Sequence, residues 1–296
     1  MTAGLAWGRS LPRPVGAATG WNRIPPQLRP PAELPWPGGA GEPPRLSWLG
    51  HSGLLIRWHG AAVAIDPHLS ARCAIVRRAM EMPLAAADLP SLDAVLVTHA
   101  HYDHLDRPTL AGLRRVGSLI VPRGSEKFVA GVRGDARVAG LAAGESMTIG
   151  ALEATAVPAF HGGGRHHPLG SSRQALGWVV SAGGEAIYVA GDTGMRNDFA
   201  AIGRRFRPRI AVLPIGAFRP AWPIGRVHLS PEQAVEAACR LGAALAVPYH
   251  FGTFALALDR PDEALPRFAR AAAAAGVAWR MPALARRSDL AGALAA

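Results

Sequence analysis

Four side chains able to bind a metal ion lie close together in one short segment of the sequence. These are His99, His101, Asp103 and His104, and they directly follow the apolar run DAVLVT at positions 93–98. Residues two apart in an extended chain point to the same side, so His99 and His101 can converge on one ion. A turn at the entry to the next helix lets Asp103 and His104 address a second point nearby. Imidazole and carboxylate ligands suit zinc, iron or manganese, and the absence of thiolates argues against a structural zinc site.

Three further residues with the same chemistry follow apolar runs later in the chain. His161 comes shortly after one such run, Asp192 lies in the segment AGDTG (190–194), and His250 follows LAVPY (245–249). Each is a weak signal alone. Together with the first cluster they indicate one shared metal centre at the ends of strands.

The pattern H-x-H-x-D-H, with these later residues in order, resembles the signature of the metallo-β-lactamase superfamily. The resemblance implies an α/β (α+β) fold, the αββα sandwich, in which two packed mixed sheets carry helices on their outer faces. It also implies two divalent metal ions, with zinc the first expectation and manganese or iron the alternatives. By this resemblance His99, His101 and His161 hold one ion, Asp103, His104 and His250 hold the other, and Asp192 bridges the two.

Shorter motifs narrow the resemblance to one subgroup. They are WLGHS (48–52), DP (66–67), GDTG (191–194), LPIGA (213–217), HLSPEQA (228–234) and HFGTF (250–254). They resemble the phospholipases D that hydrolyse N-acyl-phosphatidylethanolamine and, more distantly, the ascorbate-6-phosphate lactonases. The segment GGGRHH (162–167) departs from the longer loop expected of that subgroup, and we expect this loop to help shape the substrate pocket.

The chemistry that such a site performs is hydrolysis. Two ions about 3.5–4 Å apart can share a water and lower its pKa toward 7, giving a metal-bridging hydroxide at neutral pH. A phosphodiester or related ester suits this mechanism, and a phospholipid is one such substrate. A lactone or a small phosphoester is the alternative. Asp103 and His228 are the predicted catalytic residues, and the resemblance implies that His228 faces the cleft as a substrate contact or general acid.

Two other residues are candidates for supporting the metal ligands. Asp66 ends a predicted strand, where it either orients a ligand histidine or forms an Asp-Pro turn. His51 either contacts and supports a metal-binding residue without binding the metal itself, or it caps a turn.

Other functions compete with this prediction. A nuclease has no basic-aromatic patch in the sequence to support it. Mononuclear-iron sulfur dioxygenases share the fold, but the pairing of Asp103 with His104 favours two metals. A non-catalytic, metal-stabilised binding module would not require a complete set of ligands. We expect a small-molecule or lipid ester substrate and no nucleic acid, and the sequence leaves peripheral membrane contact and a homodimer open.

Composition says more about the compartment than about the function. The formal net charge is +11, yet every basic residue except Lys127 is an arginine, and the arginines are scattered singly or in pairs. Such a charge attracts anionic substrates or surfaces only in a general way. Two cysteines outside any C-x-x-C spacing, no apolar run near about 20 residues and no signal peptide predict a soluble, cytoplasmic protein.

Positioning the candidate ligands requires strands and helices in a definite order. Strands are predicted at 46–49, 54–58, 61–66, 93–98, 118–121, 152–157, 176–181, 185–190 and 210–214. Helices are predicted at 108–115, from the capping box SPEQ (230–233) to Leu241, and from an Asp262 cap to Gly276. This order predicts two packed sheets with helices outside. Residues 46–285 should form the hydrolase domain, after a proline-rich arm at 1–45 and before a tail at 286–296.

Overall fold

A computed structural model describes residues 42–165, 174–260, 262–281 and 284–290. Nearly all of the predicted proline-rich arm and the last two residues of the GGGRHH segment lie outside the described residues. None of the described helices is long and apolar enough to cross a membrane.

Fourteen strands and five α-helices are described. The strands are β1 (Arg45–Trp48), β2 (Leu54–Trp58), β3 (Ala61–Ile65), β4 (Arg72–Cys73), β5 (Val76–Arg77), β6 (Leu92–Leu96), β7 (Val116–Pro122), β8 (Arg137–Leu141), β9 (Ser146–Ile149), β10 (Leu152–Gly162), β11 (Gln174–Ala182), β12 (Glu185–Val189), β13 (Ile210–Pro214) and β14 (Leu245–Tyr249). The helices are α1 (Arg107–Gly112), α2 (Phe199–Phe206), α3 (Pro231–Leu241), α4 (Ala264–Ala275) and α5 (Arg287–Leu290).

Two six-stranded mixed sheets form the centre of the domain. The first has the order β1-β2-β3-β6-β7-β8 and the second the order β14-β13-β12-β11-β10-β9. In chain order, the first strands of each sheet pair antiparallel. The pairing is parallel from β3 onward in the first sheet and from β12 onward in the second. Strands β4 and β5 form a separate small hairpin. The parallel strands of each sheet bring their carboxyl ends to one edge, which is where ligands collect in such sheets.

Both sheets are covered on both faces by apolar side chains. Alternate residues of β6 point to opposite faces, with Leu96 between the sheets and Val95 against the outer layer. On β11, Trp178 lies between the sheets and Val179 packs toward α2, α3 and α4. A strand that is buried on both faces has an almost continuous apolar sequence, as β6 has within DAVLVT (93–98). The predicted αββα sandwich is confirmed.

The ends of several elements differ from the prediction. The capping box of α3 forms as expected, because the Ser230 hydroxyl accepts from the Gln233 amide and the Ser230 amide donates to Oε1 of Gln233. The predicted Asp262 cap of α4 is wrong: Glu263 is the N-cap, without a side-chain cap bond, and Asp262 pairs with Arg260. The hairpin β4–β5, strands β8 and β9 and helix α2 were not predicted.

The C-terminal end of the described chain packs on the domain. Ala285 donates its amide to the Trp48 carbonyl at 2.8 Å. Beyond it α5 lies inside the segment predicted as a tail; its Leu290 is buried and its Arg287 pairs with Asp88.

Candidate metal centre

The candidate ligands meet at the edge formed by the carboxyl ends of the strands. His99 follows β6, Asp192 follows β12 and His250 follows β14, while His161 is the penultimate residue of β10. The structure brings together all seven residues for which a metal was predicted. His99, His104, Asp192 and His250 are buried, and His101, Asp103 and His161 are partly exposed.

Three histidines form the first cluster, with one ring nitrogen of each facing the others. Nε2 of His99 lies 2.9 Å from Nδ1 of His101, and Nε2 of His161 lies 3.2 Å from the same atom. A tetrahedral zinc site with Zn–N bonds of 2.0–2.1 Å has neighbouring nitrogens about 3.3 Å apart. The three nitrogens therefore have the separation of ligands around one ion.

The second cluster consists of Asp103, His104 and His250. Nε2 of His104 lies 3.2 Å from Nε2 of His250, and Oδ2 of Asp103 lies 3.6 Å and 3.5 Å from these two nitrogens. Asp192 stands between the clusters. Its carboxylate is 3.2 Å and 3.1 Å from the second-cluster nitrogens of His104 and His250, and its Oδ2 is 3.9 Å from Nε2 of His99.

The other ring nitrogen of several histidines is held by a hydrogen bond that fixes the tautomer. His104 donates Nδ1–H to Asp66 at 2.7 Å, and His161 donates Nδ1–H to the Val227 carbonyl at 3.0 Å. The Thr98 hydroxyl donates to Asp66 at 2.5 Å and can accept from Nδ1 of His99 at 3.0 Å. Each bond holds Nδ1 and leaves Nε2 facing its cluster, which is the usual arrangement behind metal-binding histidines.

Asp66 and His51 both lie behind the candidate ligands. Asp66 is fully buried and also accepts the Thr98 amide at 2.8 Å, so it is more than a turn-forming residue. His51 donates Nε2–H to Oδ2 of Asp103 at 3.0 Å. Burial lowers the pKa of His51 to about 3, so the ring is a neutral donor.

Local backbone strain marks the same residues. His51, Asp66 and His250 have φ of 50°, 43° and 59°, in the left-handed region that non-glycine residues rarely adopt. Strain of this kind is held in place by surrounding structure and clusters at functional sites. Gly191, before Asp192, has φ of 63°, and a Cβ there would lie 2.8 Å from Cβ of Thr98. Only glycine fits at this position, because the turn after β12 passes so close to Thr98, which precedes the H-x-H-x-D-H motif.

The electrostatics of the site favour a bound cation. Burial would raise the pKa of Asp103 and of Asp192, but the surrounding imidazoles hold both well below their usual range. Burial would lower the pKa of His104, but the carboxylates around it, Asp192 foremost, raise it well above its usual value. Burial lowers the pKa of His161 to about 3. The buried carboxylates require positive charge beside them, which a proton on His104 or a divalent metal can supply, and the donor set fits the metal.

A cleft of about 480 Å³ opens onto both clusters. His101, Asp103, His161, Asp192 and His250 form its polar floor, with His228 beside them. Nδ1 of His228 is buried, 3.7 Å from Asp192, and has no hydrogen-bond partner among the described residues. Arg165 is the only lysine or arginine among the described lining residues.

The family whose sequence profile matches this chain is the beta-lactamase superfamily domain, over residues 62–251. This chain belongs to that superfamily. A metal-dependent hydrolase of Methanopyrus kandleri is 32% identical over 221 residues, covering 74% of this chain and 89% of that protein. N-acyl-phosphatidylethanolamine-hydrolyzing phospholipase D 1 of Caenorhabditis elegans is 31% identical over 226 residues, covering 70% of this chain and 64% of that protein. The predicted metal-dependent hydrolase of the metallo-β-lactamase superfamily is confirmed.

A solved structure supports the fold of this superfamily member. The isothiocyanate hydrolase from Delia radicum gut bacteria has a TM-score of 0.64 and 23% identity, covering 80% of this chain and 95% of that one. At that identity the likeness concerns the fold alone.

The sequence did not reveal several residues of the candidate site. Thr98 was treated as the end of a strand, yet it links Asp66 to His99. Cys73 and Val76 line the cleft from the unpredicted β4–β5 hairpin. Arg165, noted only as part of a departing loop, donates Nη1–H to the Ala100 and Leu105 carbonyls at 3.2 Å and 3.0 Å. The only signal for Arg165 in the sequence was its position four residues after the candidate ligand His161.

Proposed function

We propose that this superfamily member is a two-metal phosphodiesterase that cleaves a phospholipid. The observation that carries the proposal is the cleft, whose floor is the metal-ligand clusters and whose walls are mainly apolar. Val76, Ile224, Val227 and Leu256 stand on these walls. A cleft of this size and composition suits a ligand that combines a polar reacting group with hydrocarbon.

The two side-chain clusters support two metal sites with the ligand sets that the resemblance implies. His99, His101 and His161 would hold one divalent ion, Asp103, His104 and His250 the other, and Asp192 would contact both. When bound, such ions supply Lewis acidity toward a phosphoryl oxygen and activate a water near neutral pH. Zinc is the ion that we expect first, and manganese or iron are the alternatives, because imidazole and carboxylate donors suit all three.

Arg165 is suited to bind the phosphate of the substrate. Its guanidinium stacks on Tyr102, with 4.2 Å from its carbon to the ring centroid, and its Nη1 is held by two backbone carbonyls. A guanidinium fixed in this way presents its remaining N–H groups with little loss of entropy. Once the ligand carboxylates are neutralised by cations, Arg165 provides the positive charge of the cleft wall.

His228 is suited to contact the reacting group. It precedes α3, whose capping box fixes the chain on its C-terminal side. Its ring stands 4.8 Å from that of His161, centroid to centroid. Burial lowers the pKa of His228, so the ring is unprotonated at neutral pH. This favours the predicted substrate contact, in which the ring accepts a hydrogen bond, over the predicted general acid.

The similarity to the phospholipase D of Caenorhabditis elegans supports a phospholipid substrate. That relative is named for hydrolysis of N-acyl-phosphatidylethanolamine. The apolar walls of this cleft offer surface for the acyl chains of such a molecule, and Arg165 offers a contact for its phosphate.

The test combines metal analysis with a panel of substrates. The purified full chain is analysed for bound metal and assayed with N-acyl-phosphatidylethanolamine in mixed micelles, bis(p-nitrophenyl) phosphate, p-nitrophenyl phosphate and a lactone. We expect two metals per chain and cleavage of both phosphodiesters. Asp192→Ala, purified in parallel, controls for contaminating phosphodiesterases. Turnover of the lactone alone would replace the proposal with a lactonase, and bound metals without any turnover would favour a non-catalytic binding module.

A further inference from the structure

The exposed large apolar side chains are not spread evenly over the surface of this protein. Six are exposed in the described part of the chain, and five of them stand around the metal cleft: Ile75, Tyr102, Trp222, Leu256 and Leu258. The sixth is Val138 on β8, the edge strand of the first sheet. Single exposed apolar residues need no explanation, but a concentration at the entrance to a site does.

Three of the five are not among the residues that line the cleft. Ile75, Trp222 and Leu258 are 88%, 71% and 76% exposed, and we call them the apolar rim. No substrate bound within the cleft itself accounts for side chains as exposed as these.

Each residue of the apolar rim is next to a lining segment. Ile75 is the tip of the β4–β5 hairpin, between the lining residues Ala74 and Val76. Trp222 lies two residues before the lining residue Ile224, and Leu258 follows the lining residue Ala257. Two of the three loops are joined directly, since the Leu258 amide donates to the Arg219 carbonyl at 3.2 Å. The rim residues therefore lie beside the segments that line the cleft.

The charge around the rim is positive. Arg72 and Arg77 flank Ile75 on the hairpin, and Arg226 lies close to Trp222 in sequence; all three are exposed. Of the carboxylates nearby, Glu263 pairs with Arg219 at 2.9 Å, while Asp259 is partly buried and accepts the Ala217 amide through Oδ2 at 3.1 Å. With a net charge of +11, the whole chain favours an anionic partner.

We propose that the apolar rim is a docking surface for an anionic phospholipid bilayer. Trp222 suits the headgroup region, where its ring is apolar and its N–H stays hydrated. Ile75 and Leu258 would enter the boundary between headgroups and acyl chains, and the arginines would face anionic headgroups. When the protein is docked in this way, the cleft opens directly onto the membrane. The purpose of the surface rests on the proposed phospholipid substrate, but its binding to a bilayer requires no turnover.

The test measures binding of the full chain to vesicles. Phosphatidylcholine vesicles with and without phosphatidylglycerol are floated through a density gradient with the wild-type protein. We expect binding to the anionic vesicles that weakens with added salt. Each of Ile75→Ser, Trp222→Ser and Leu258→Ser should weaken that binding roughly five- to tenfold, because each removes a large apolar side chain. The triple variant should not float.

Val138→Ser is the matched control, because it removes an exposed apolar residue away from the cleft. It should float like the wild type. Hydrolysis of the water-soluble bis(p-nitrophenyl) phosphate should be equal in the wild type and the triple variant, which shows that the rim variant is folded. Wild-type protein that does not float, or equal losses in Val138→Ser and the rim variants, would overturn the inference. So would a wild-type dimer that the rim substitutions convert to a monomer without any vesicle binding.

Failure of the docking surface and failure of the proposed function give different results. A protein that floats but cleaves no phosphodiester keeps the docking surface and loses the phospholipase. A protein that cleaves micellar phospholipid but does not float keeps the phospholipase and loses the docking surface.

Discussion

Oδ2 of Asp66 lies 2.7 Å from Nδ1 of His104, and both side chains are completely enclosed. Asp66 directly follows β3 and His104 ends the H-x-H-x-D-H motif, so this contact ties the motif to the neighbouring strand. The same carboxylate also accepts two hydrogen bonds from Thr98. Asp66 therefore controls the orientation of His104 and its tautomer.

Replacing Asp66 should weaken metal binding more than it weakens the fold. Asp66→Asn keeps the size of the side chain but removes the charge that favours the Nδ1–H tautomer of His104. We expect metal affinity to fall roughly 10–100-fold, as measured by competition with a chromogenic chelator. Asp93→Asn is the control, since Asp93 also accepts a backbone amide, that of Ala62, but in an exposed position. Equal affinity in the two variants would remove Asp66 from the metal centre.

Asp192→Ala should lose both metal and hydrolase activity. Asp192 contacts both clusters, at 3.2 Å from His104 and 3.9 Å from His161. Its removal leaves the imidazoles without the carboxylate that joins them, while the sheet core is unaffected. Metal analysis should find less metal, and circular dichroism should find an unchanged fold. Full activity in this variant would contradict the position of Asp192 between two ions.

The local pattern of the motif was enough to predict much of this site. The first four candidate ligands lie within six consecutive residues, so their convergence needs only a strand followed by a turn. They are His99, His101, Asp103 and His104. The cleft walls could not be predicted in the same way. Val76 and Arg165 reach the site because a small hairpin and a loop pack beside it, and neither has a periodic apolar pattern. The wrong cap at Asp262 has a local cause: Arg260 competes for its carboxylate.

His228→Ala should keep the metals and slow turnover. The ring stands at the cleft but is 3.7 Å from the nearest oxygen of Asp192, and it belongs to neither predicted ligand set. If it handles a proton in the reaction, its loss should lower kcat by about 10²–10⁴. His59→Ala, in the exposed turn between β2 and β3, is the control. A kcat equal to that of the control would exclude His228 from the mechanism.

Removal of metal should lower the melting temperature of the wild-type protein reversibly. A ligand that binds only the folded state at 100 times its Kd stabilises that state by about 2.7 kcal/mol. For a domain of this size that corresponds to roughly 5–10 °C. Chelation followed by differential scanning fluorimetry should show this decrease, and added zinc should reverse it. Asp192→Ala should respond weakly to both treatments, and an equal response there would mean that the stabilising metal binds elsewhere.

Arg165→Gln should raise KM for phosphodiesters and leave metal content unchanged. Glutamine can still donate to the Ala100 or Leu105 carbonyl, but it brings no positive charge to the cleft. Loss of a hydrogen bond to a charged group costs about 1.5–3 kcal/mol, so kcat/KM for bis(p-nitrophenyl) phosphate should fall roughly 10- to 150-fold. Arg226→Gln, at an exposed position outside the cleft lining, should have little effect on this soluble substrate. Hydrolysis of an uncharged lactone or aryl ester, where it is measurable, should decrease less in Arg165→Gln than hydrolysis of the phosphodiester. Equal losses on charged and uncharged substrates would mean that Arg165 only supports the motif loop through its carbonyl contacts.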